Sequence, residues 1–444
     1  MNLKVKLGRK RFSPPQTLAL GFAAVILIGG ILLRMPISTT HSITFLDALF
    51  TAASATTVTG LVVFDTGSTF TVFGQSVIMV LMKIGGLGLM SFALLIVILL
   101  GKRIGLRERI LVQESLNQTS TGGIIRLVIL LLVFSTSMEL LATGILATRW
   151  VPEYGWTFGL FTSLFHSVSA FNNAGFSLWG DSLSGYVGDP VVNLVITTLF
   201  ITGGIGFTVI YDLVRKRRFK SLALHSKLML VGTFVLNTVV MLLIFLFEYN
   251  NPFTLQPLSL SEKLWGSYFQ AVTPRTAGFN TLDIGALEPA TLTLIIVLMF
   301  IGAGSASTGS GIKLTTLLII LVTVRAYLKG NRDAVVFGRR IPENIVIRAL
   351  AILVISIGFV GMSILLLTLT EPSADYLSLV FEAFSAFGTV GLSMGLTGDL
   401  SAMGKIVIMM LMMVGRIGPV TLAFALAKSS NDHYRFPKED VFTG

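Results

Sequence analysis

Four short tracts of the chain end in a glycine that follows small, amide or hydroxylated residues. They are Thr57-Val58-Thr59-Gly60, Asn172-Asn173-Ala174-Gly175, Arg275-Thr276-Ala277-Gly278 and Gly388-Thr389-Val390-Gly391. None carries a carboxylate, thiol or imidazole, so none suits acid–base, nucleophilic or transition-metal chemistry. What such tracts offer is backbone. Glycine admits dihedral angles that a side chain obstructs. Carbonyl oxygens held in a ring can replace the water of a small cation without a fixed negative charge that would trap it. The four tracts therefore read as the four parts of one ion filter.

The final glycines recur at intervals of 115, 103 and 113 residues, which is one unit repeated four times. Other positions keep step with them. An aromatic stands ten residues before each glycine (Phe50, Phe165, Tyr268, Phe381) and a small residue five before (Ala55, Ala170, Thr273, Ala386). Between 24 and 28 residues after each glycine comes a cluster of small residues. The clusters are Gly85-Gly86-Leu87-Gly88, Gly203-Gly204-Ile205-Gly206, Gly302-Ala303-Gly304 and Gly415-Arg416-Ile417-Gly418. Small residues in a membrane helix also serve close packing, but that alone does not explain their shared register.

The third and fourth clusters are unlike the others. Gly302-Ala303-Gly304-Ser305-Ala306-Ser307-Thr308-Gly309-Ser310-Gly311-Ile312-Lys313 interrupts an apolar run with more glycine than a regular helix tolerates. Its Gly304-to-Gly309 spacing resembles a phosphate-binding loop, but Lys313 is displaced and the segment lies within an apolar run. Arg416 places a charge inside the last apolar run, at roughly 2.5–3.5 kcal/mol on insertion scales. Such a residue faces a cavity or a partner. Arg275 is expected at the outer mouth of the filter, bracing its loop through acids such as Glu382 or Asp47.

The elements that hold these tracts must be membrane helices. Of 444 residues 53% are hydrophobic and 12% charged, and the mean hydropathy is +0.83. Soluble domains carry roughly 25% charged residues. Apolar runs near 20 residues, long enough for a bilayer core of about 30 Å, occupy about 16–35, 72–100, 124–148, 190–213, 226–248, 290–325, 344–369 and 403–427. Basic residues cluster in the N-terminal arm (Lys4, Lys6, Arg9, Lys10, Arg11) and after the second, fourth and sixth runs. Those clusters are Lys102, Arg103, Arg107 and Arg109; Arg215–Arg218 and Lys220; and Arg325, Lys329, Arg332, Arg339 and Arg340. Positive loops face the cytoplasm, which puts both termini inside and the filter tracts outside. Met1–Arg11 with the apolar stretch behind it mimics a signal peptide, but the run is long and lacks a small-residue cleavage site. It reads as the first span. Net charge of +11 then reflects positive-inside bias, not nucleic acid. The repeats divide the chain at 1–105, 106–220, 221–335 and 336–444.

On these residues the chain resembles the Trk/Ktr/HKT superfamily of K⁺ transporters, and within it the Ktr-type bacterial membrane subunit. Phe171-Asn172-Asn173-Ala174-Gly175-Phe176 and Thr273-Pro274-Arg275-Thr276-Ala277-Gly278-Phe279-Asn280 carry the likeness most specifically, and it runs along essentially the whole chain. The resemblance implies an all-α integral membrane fold of four tandem repeats, each an outer helix, pore helix, filter loop and inner helix. These surround one pseudo-fourfold pore with eight full spans. It implies K⁺ as the transported ion, held in the filter, with Na⁺ open as a coupling ion. It also implies a homodimer in the bacterial plasma membrane, one pore per subunit, gated by a cytoplasmic octameric RCK-type ring that carries any nucleotide. It makes Gly302–Lys313 a mobile gate loop and Arg416 a cationic barrier that meets it below the filter. The C-terminal Phe436–Gly444 would fold into the dimer interface. Some plant members of the superfamily with serine at the place of Gly60 favour Na⁺. Glycine there argues for K⁺, and a Na⁺-selective or non-selective cation permease is the alternative.

Other classes fit less well. A solute-coupled transporter with broken helices normally uses inverted repeats, whereas a two-span unit leaves all four copies facing one way. A membrane enzyme needs a recurring polar constellation. With no cysteine and four scattered histidines, thiolate chemistry and a histidine metal site are disfavoured. His166 reads as structural, and Glu114 and Glu139 as interfacial or structural.

Overall fold

The computed structural model describes residues 14–88, 124–305, 307–331, 333–426 and 439. The N-terminal arm, the basic cluster Lys102–Arg109, Glu114, Ala306, Arg332 and the C-terminal residues 436–438 and 440–444 lie outside them.

Among the described residues, four unbroken helices, Gln16–Leu33, Val128–Tyr154, Leu224–Glu248 and Glu343–Thr370, are long and apolar enough to cross a membrane. They are the outer helices of repeats 1 to 4. Their outward faces are bare hydrocarbon, with Leu141, Leu246 and Val354 all more than half exposed. Such a surface is stable only against lipid or another apolar surface.

Each outer helix is followed by a shorter pore helix: Phe45–Thr57, Trp156–Phe171, Leu260–Val272 and Tyr376–Gly388. Sequence explains where three of them start. Thr44 and Asp375 accept a first-turn N–H, and Ser259 forms a capping box with Glu262. The pore helices sink their small faces into the centre of the molecule. Ala52, Ala55, Ala170 and Ala386 are almost fully buried there.

The inner helices break at their small-residue clusters. Val72–Leu87, Pro190–Ile205, Pro289–Phe300 and Ala402–Ile417 each stop partway. Sixteen residues, the length of three of them, rise only about 24 Å. Gly88, Gly206 and Gly418 end the inner helices of repeats 1, 2 and 4 with φ of 85°, 101° and 95°, the left-handed range in which a helix cannot continue. In repeat 2 the chain resumes as Phe207–Lys216, bent by 94°. In repeat 4 it resumes as Pro419–Leu426, and in repeat 3 as Leu314–Leu328 after the loop that starts at Ile301. The first glycine of each cluster serves close packing, since a Cβ at Gly85, Gly203 or Gly415 would strike the carbonyl of Thr56, Phe171 or Phe387 at its own pore helix end. The clusters thus both pack and break. Beyond Leu328, a two-residue hairpin pairs Val335–Val336 with Arg339–Arg340.

Candidate ion filter and the layer beneath it

The four filter glycines adopt φ of 90°, 70°, 78° and 92° for Gly60, Gly175, Gly278 and Gly391. Two residues earlier the backbone is again left-handed, at Val58 (53°), Asn173 (57°), Thr276 (73°) and Thr389 (49°). Three of those are β-branched, for which this region is an outlier at roughly 1–2 kcal/mol each. The same outlier in all four copies is a built feature. Alternating handedness turns successive carbonyls to one side of the strand. The amides are tied back: Thr59, Ala174 and Val390 N–H donate to the carbonyls of Ser54, Ser169 and Ser385, and Ala277 N–H to that of Thr273, at 2.8–3.0 Å. No described residue donates to their carbonyl oxygens.

The loops close on one another in a fixed rotational order. A Cβ on Gly60 would meet Ala174 O at 2.5 Å, and one on Gly175 would meet Gly278 Cα at 2.9 Å and Ala277 O at 3.0 Å. On Gly278 it would strike Val390 O, and on Gly391 Thr59 O. Each glycine therefore lies against the carbonyl that precedes the glycine of the next repeat, and the fourth returns to the first. The four glycines together line the floor of a vestibule of about 360 Å³, with Asp65, Ser177, Asn280 and Ser393 on its walls. The C-terminal ends of the pore helices converge here and add partial negative charge.

Hydroxyls at the pore helix ends pin each loop in one of two ways. Ser54 and Ser385 accept the N–H of Gly60 and Gly391 at 3.0 and 3.1 Å. Ser169 and Thr273 instead donate to the carbonyls of Phe176 and Phe279 at 2.8 and 2.5 Å.

The first residues of the tracts diverge. Thr57 bonds within its own helix to Ala53 O at 2.7 Å, and Gly388 sits against Met299 O. Asn172 Nδ2 donates to Glu139 Oε1 at 3.0 Å. Arg275 corrects an expectation. It turns away from the mouth and donates to Asn237 Oδ1 (3.2 Å) and Thr233 Oγ1 (3.4 Å) of outer helix 3. Glu382 is taken by Ser393 and Thr397, and Asp47 by Lys405 at 2.7 Å. Backbone geometry is the reason: Arg275 precedes the left-handed step, so its side chain leaves on the outer side of the loop.

Beneath the filter runs the segment 302–313. Gly302 N–H donates to Ile312 O at 2.8 Å, which pinches the loop at its base. Gly304 and Thr308 N–H donate to Gly204 and Gly203 O of inner helix 2, at 2.7 and 3.1 Å. The Thr308 hydroxyl donates to Asn173 Oδ1 (2.7 Å), whose amide in turn reaches Thr276 Oγ1 (3.1 Å). Ser307 Oγ bonds to Gly304 O, and Lys313 Nζ folds back onto Gly309 O at 2.7 Å. From repeat 4, Arg416 Nη1 donates to Thr308 O and to Ser310 Oγ (3.2 Å), and Nη2 to the carbonyls of Gly85 and Gly86 in repeat 1. One guanidinium thus joins three repeats.

Sequence reading passed over two ion pairs, Lys83–Glu139 and Lys405–Asp47. Lys83 is the lone cation of its apolar run and Lys405 shares a run with Arg416, so both carry the same signal that singled out Arg416. His166 is structural: it bonds to Thr162 O and Ser177 Oγ and stacks on Trp179 at 4.4 Å.

Residues 15–434 match the TrkH family, described as cation transport proteins. The chain is 60% identical to the Ktr system potassium uptake protein B of Bacillus subtilis over 98% of its own length and 97% of that protein. It is 40% identical to the potassium/sodium uptake protein NtpJ of Enterococcus hirae over the full length of both. The crystal structure of the potassium transporter TrkH from Vibrio parahaemolyticus superposes with a TM-score of 0.75 at 20% identity, over 96% of this chain and 87% of that one, and so shares its fold. A ring of tied-back filter loops, four apolar outer helices and a family match along nearly the whole sequence agree: the chain is a multi-pass membrane protein, not an enzyme, and belongs to the TrkH family of cation transport proteins.

Proposed function

We propose that this chain is the ion-translocating subunit of a K⁺ uptake system, and that K⁺ crosses through the ring formed by the four filter loops. The observation that carries this reading is the closed rotational order in which each filter glycine abuts the carbonyl of the next loop. That arrangement exposes oxygens of one kind to a single axis, which is what a dehydrated monovalent cation requires. The tracts 57–60, 172–175, 275–278 and 388–391 supply the K⁺ sites. The segment 302–313 is the gate, and Arg416, bound to it, is the barrier a cation meets below the filter. Eight crossings, each inner one broken, put both termini in the cytoplasm of a bacterial cell. The protein works as a homodimer gated by an octameric RCK-type ring, which holds the nucleotide. The Ktr name of the B. subtilis relative supports a multi-subunit system.

Na⁺ as a coupling ion, or as a second permeant ion, is the alternative. The potassium/sodium name of the E. hirae relative favours it. Reconstitution decides the main point. Vesicles holding the purified chain take up Rb⁺, a K⁺ surrogate, and Gly278→Asp abolishes that uptake. Undiminished uptake by this variant defeats the filter assignment. Reversal potentials in opposed K⁺ and Na⁺ gradients, with and without the ring, separate the two ions.

A further inference from the structure

Two charges lie inside the apolar layer and have no part in the pathway above. Lys83 stands on inner helix 1 and Glu139 on outer helix 2. Lys83 Nζ lies 2.6 Å from both carboxylate oxygens and 3.1 Å from Ser135 Oγ. The Glu139 side chain is 5% exposed and that of Lys83 19%. An apolar pair of similar volume is often at least as stable as a buried ion pair. Stability alone is therefore a poor reason for this one.

A third partner supplies a better reason. Asn172, the residue that caps pore helix 2 and begins the second filter tract, donates from Nδ2 to Glu139 Oε1 at 3.0 Å and to Val168 O at 2.8 Å. The next residue, Asn173, takes the left-handed step and accepts the Thr308 hydroxyl. At the matching place in repeat 3, Arg275 likewise reaches its outer helix, but it brings its own charge to neutral oxygens. Thr57 turns back on its own helix, and Gly388 has no side chain. Among these four, only the second tract is moored to an ion pair.

We propose that Lys83 and Glu139 are positioning residues for the second filter loop. Lys83 holds the carboxylate and balances its charge. The carboxylate fixes the Asn172 amide, and so fixes where the backbone enters the left-handed step and how wide the carbonyl ring stands. A ring held to one width discriminates between K⁺ and Na⁺, and a loosened one does so less. This rests on the cation-pathway reading of the filter.

The test uses the full chain in vesicles, with Rb⁺ and Na⁺ uptake read in parallel and thermal stability in detergent read on the same samples. Asn172→Leu leaves the ion pair whole and removes the mooring together with the amide's bond to Val168 O, a bond that Glu139→Gln keeps. Asn172→Leu and Glu139→Gln each raise the Na⁺-to-Rb⁺ uptake ratio about tenfold, the scale of one hydrogen bond to a charged group. In the swap Lys83→Glu with Glu139→Lys, the new lysine can be met by Asn172 Oδ1, an oxygen with no hydrogen-bond partner among the described residues. The swap returns the ratio to within about threefold of the wild type. Lost stability with an unmoved ratio in Asn172→Leu and Glu139→Gln overturns the proposal. So does a swap that takes up Rb⁺ but keeps the raised ratio. Wild-type vesicles without Rb⁺ uptake overturn the transport reading itself, whereas intact wild-type uptake with unmoved ratios overturns this proposal alone.

Discussion

At the level of the glycines the four repeats are near equivalents, and immediately beneath them they are not. All four loops share two left-handed steps and a tied-back amide, and each packs backbone on backbone against the next. Below, repeat 1 offers two helix-end carbonyls, repeat 2 an amide and two helix carbonyls, repeat 3 an irregular loop and repeat 4 an arginine. On the proposed K⁺ reading, the two layers answer different demands. An ion in a ring is bound by all four loops at once, so no loop can depart without changing the site. A barrier needs one part that moves and others that hold it. Four equal copies could not give both, and a single chain with unequal repeats can.

The largest break in this comparison comes from adding one methyl group to the upper layer. Gly278→Ala forces a Cβ into Val390 O at a φ of 78° that alanine avoids. Rb⁺ uptake should fall at least a hundredfold, about 2.7 kcal/mol in the barrier. Gly358→Ala on outer helix 4 adds the same atom where nothing lies within 4 Å, and uptake should stay within twofold, or about 0.4 kcal/mol. Equal losses in the two variants would mean that the ring is not what conducts.

The lower layer should respond in the opposite direction. Arg416→Gln removes a charge that holds the carbonyls of Thr308 and Gly85 together. Unregulated uptake should rise about tenfold, or 1.4 kcal/mol. Thr308→Val keeps the shape of the loop and deletes only its hydroxyl bond to Asn173. With one neutral hydrogen bond at about 1 kcal/mol, a rise of about fivefold is expected. Vesicle flux without the ring measures both. A fall in either variant would make this segment a structural support and not a barrier.

The two layers were also unequally legible in the sequence. The filter glycines, the helix breaks at Gly88, Gly206 and Gly418, and the irregular segment after Phe300 all announce themselves, because glycine is the one residue whose backbone preference can be read directly. The left-handed angles at Val58, Thr276 and Thr389 could not be read. Local preference opposes them, and they exist only because pore helix and neighbouring loops hold them. Arg275 was misplaced for a related reason: a charge in the sequence suggests a charged partner, but the turn of the loop sent it toward Asn237 and Thr233. Eight apolar runs were visible, yet whether a run is one helix or two depends on a single φ at its glycine.

A smaller effect would sharpen the comparison within the ring itself. Ser54 and Ser169 occupy the same place at the ends of pore helices 1 and 2, yet one hydroxyl accepts a glycine N–H and the other donates to a carbonyl. Removing them is not symmetric. Ser54→Ala leaves the Gly60 N–H as a buried donor without a partner, at about 1–3 kcal/mol. Ser169→Ala leaves the Phe176 carbonyl short of a donor, a condition folded proteins accept more readily. Rb⁺ uptake should therefore fall about fivefold in Ser54→Ala, some 1 kcal/mol, and less than about twofold in Ser169→Ala. Ser385→Ala should follow Ser54→Ala, because Ser385 accepts the N–H of Gly391 in the same way. If Ser169→Ala proved the more damaging, the hydroxyls would matter for the outer vestibule and not for the carbonyl ring. The near equivalence of the four loops would then reside in the glycines alone.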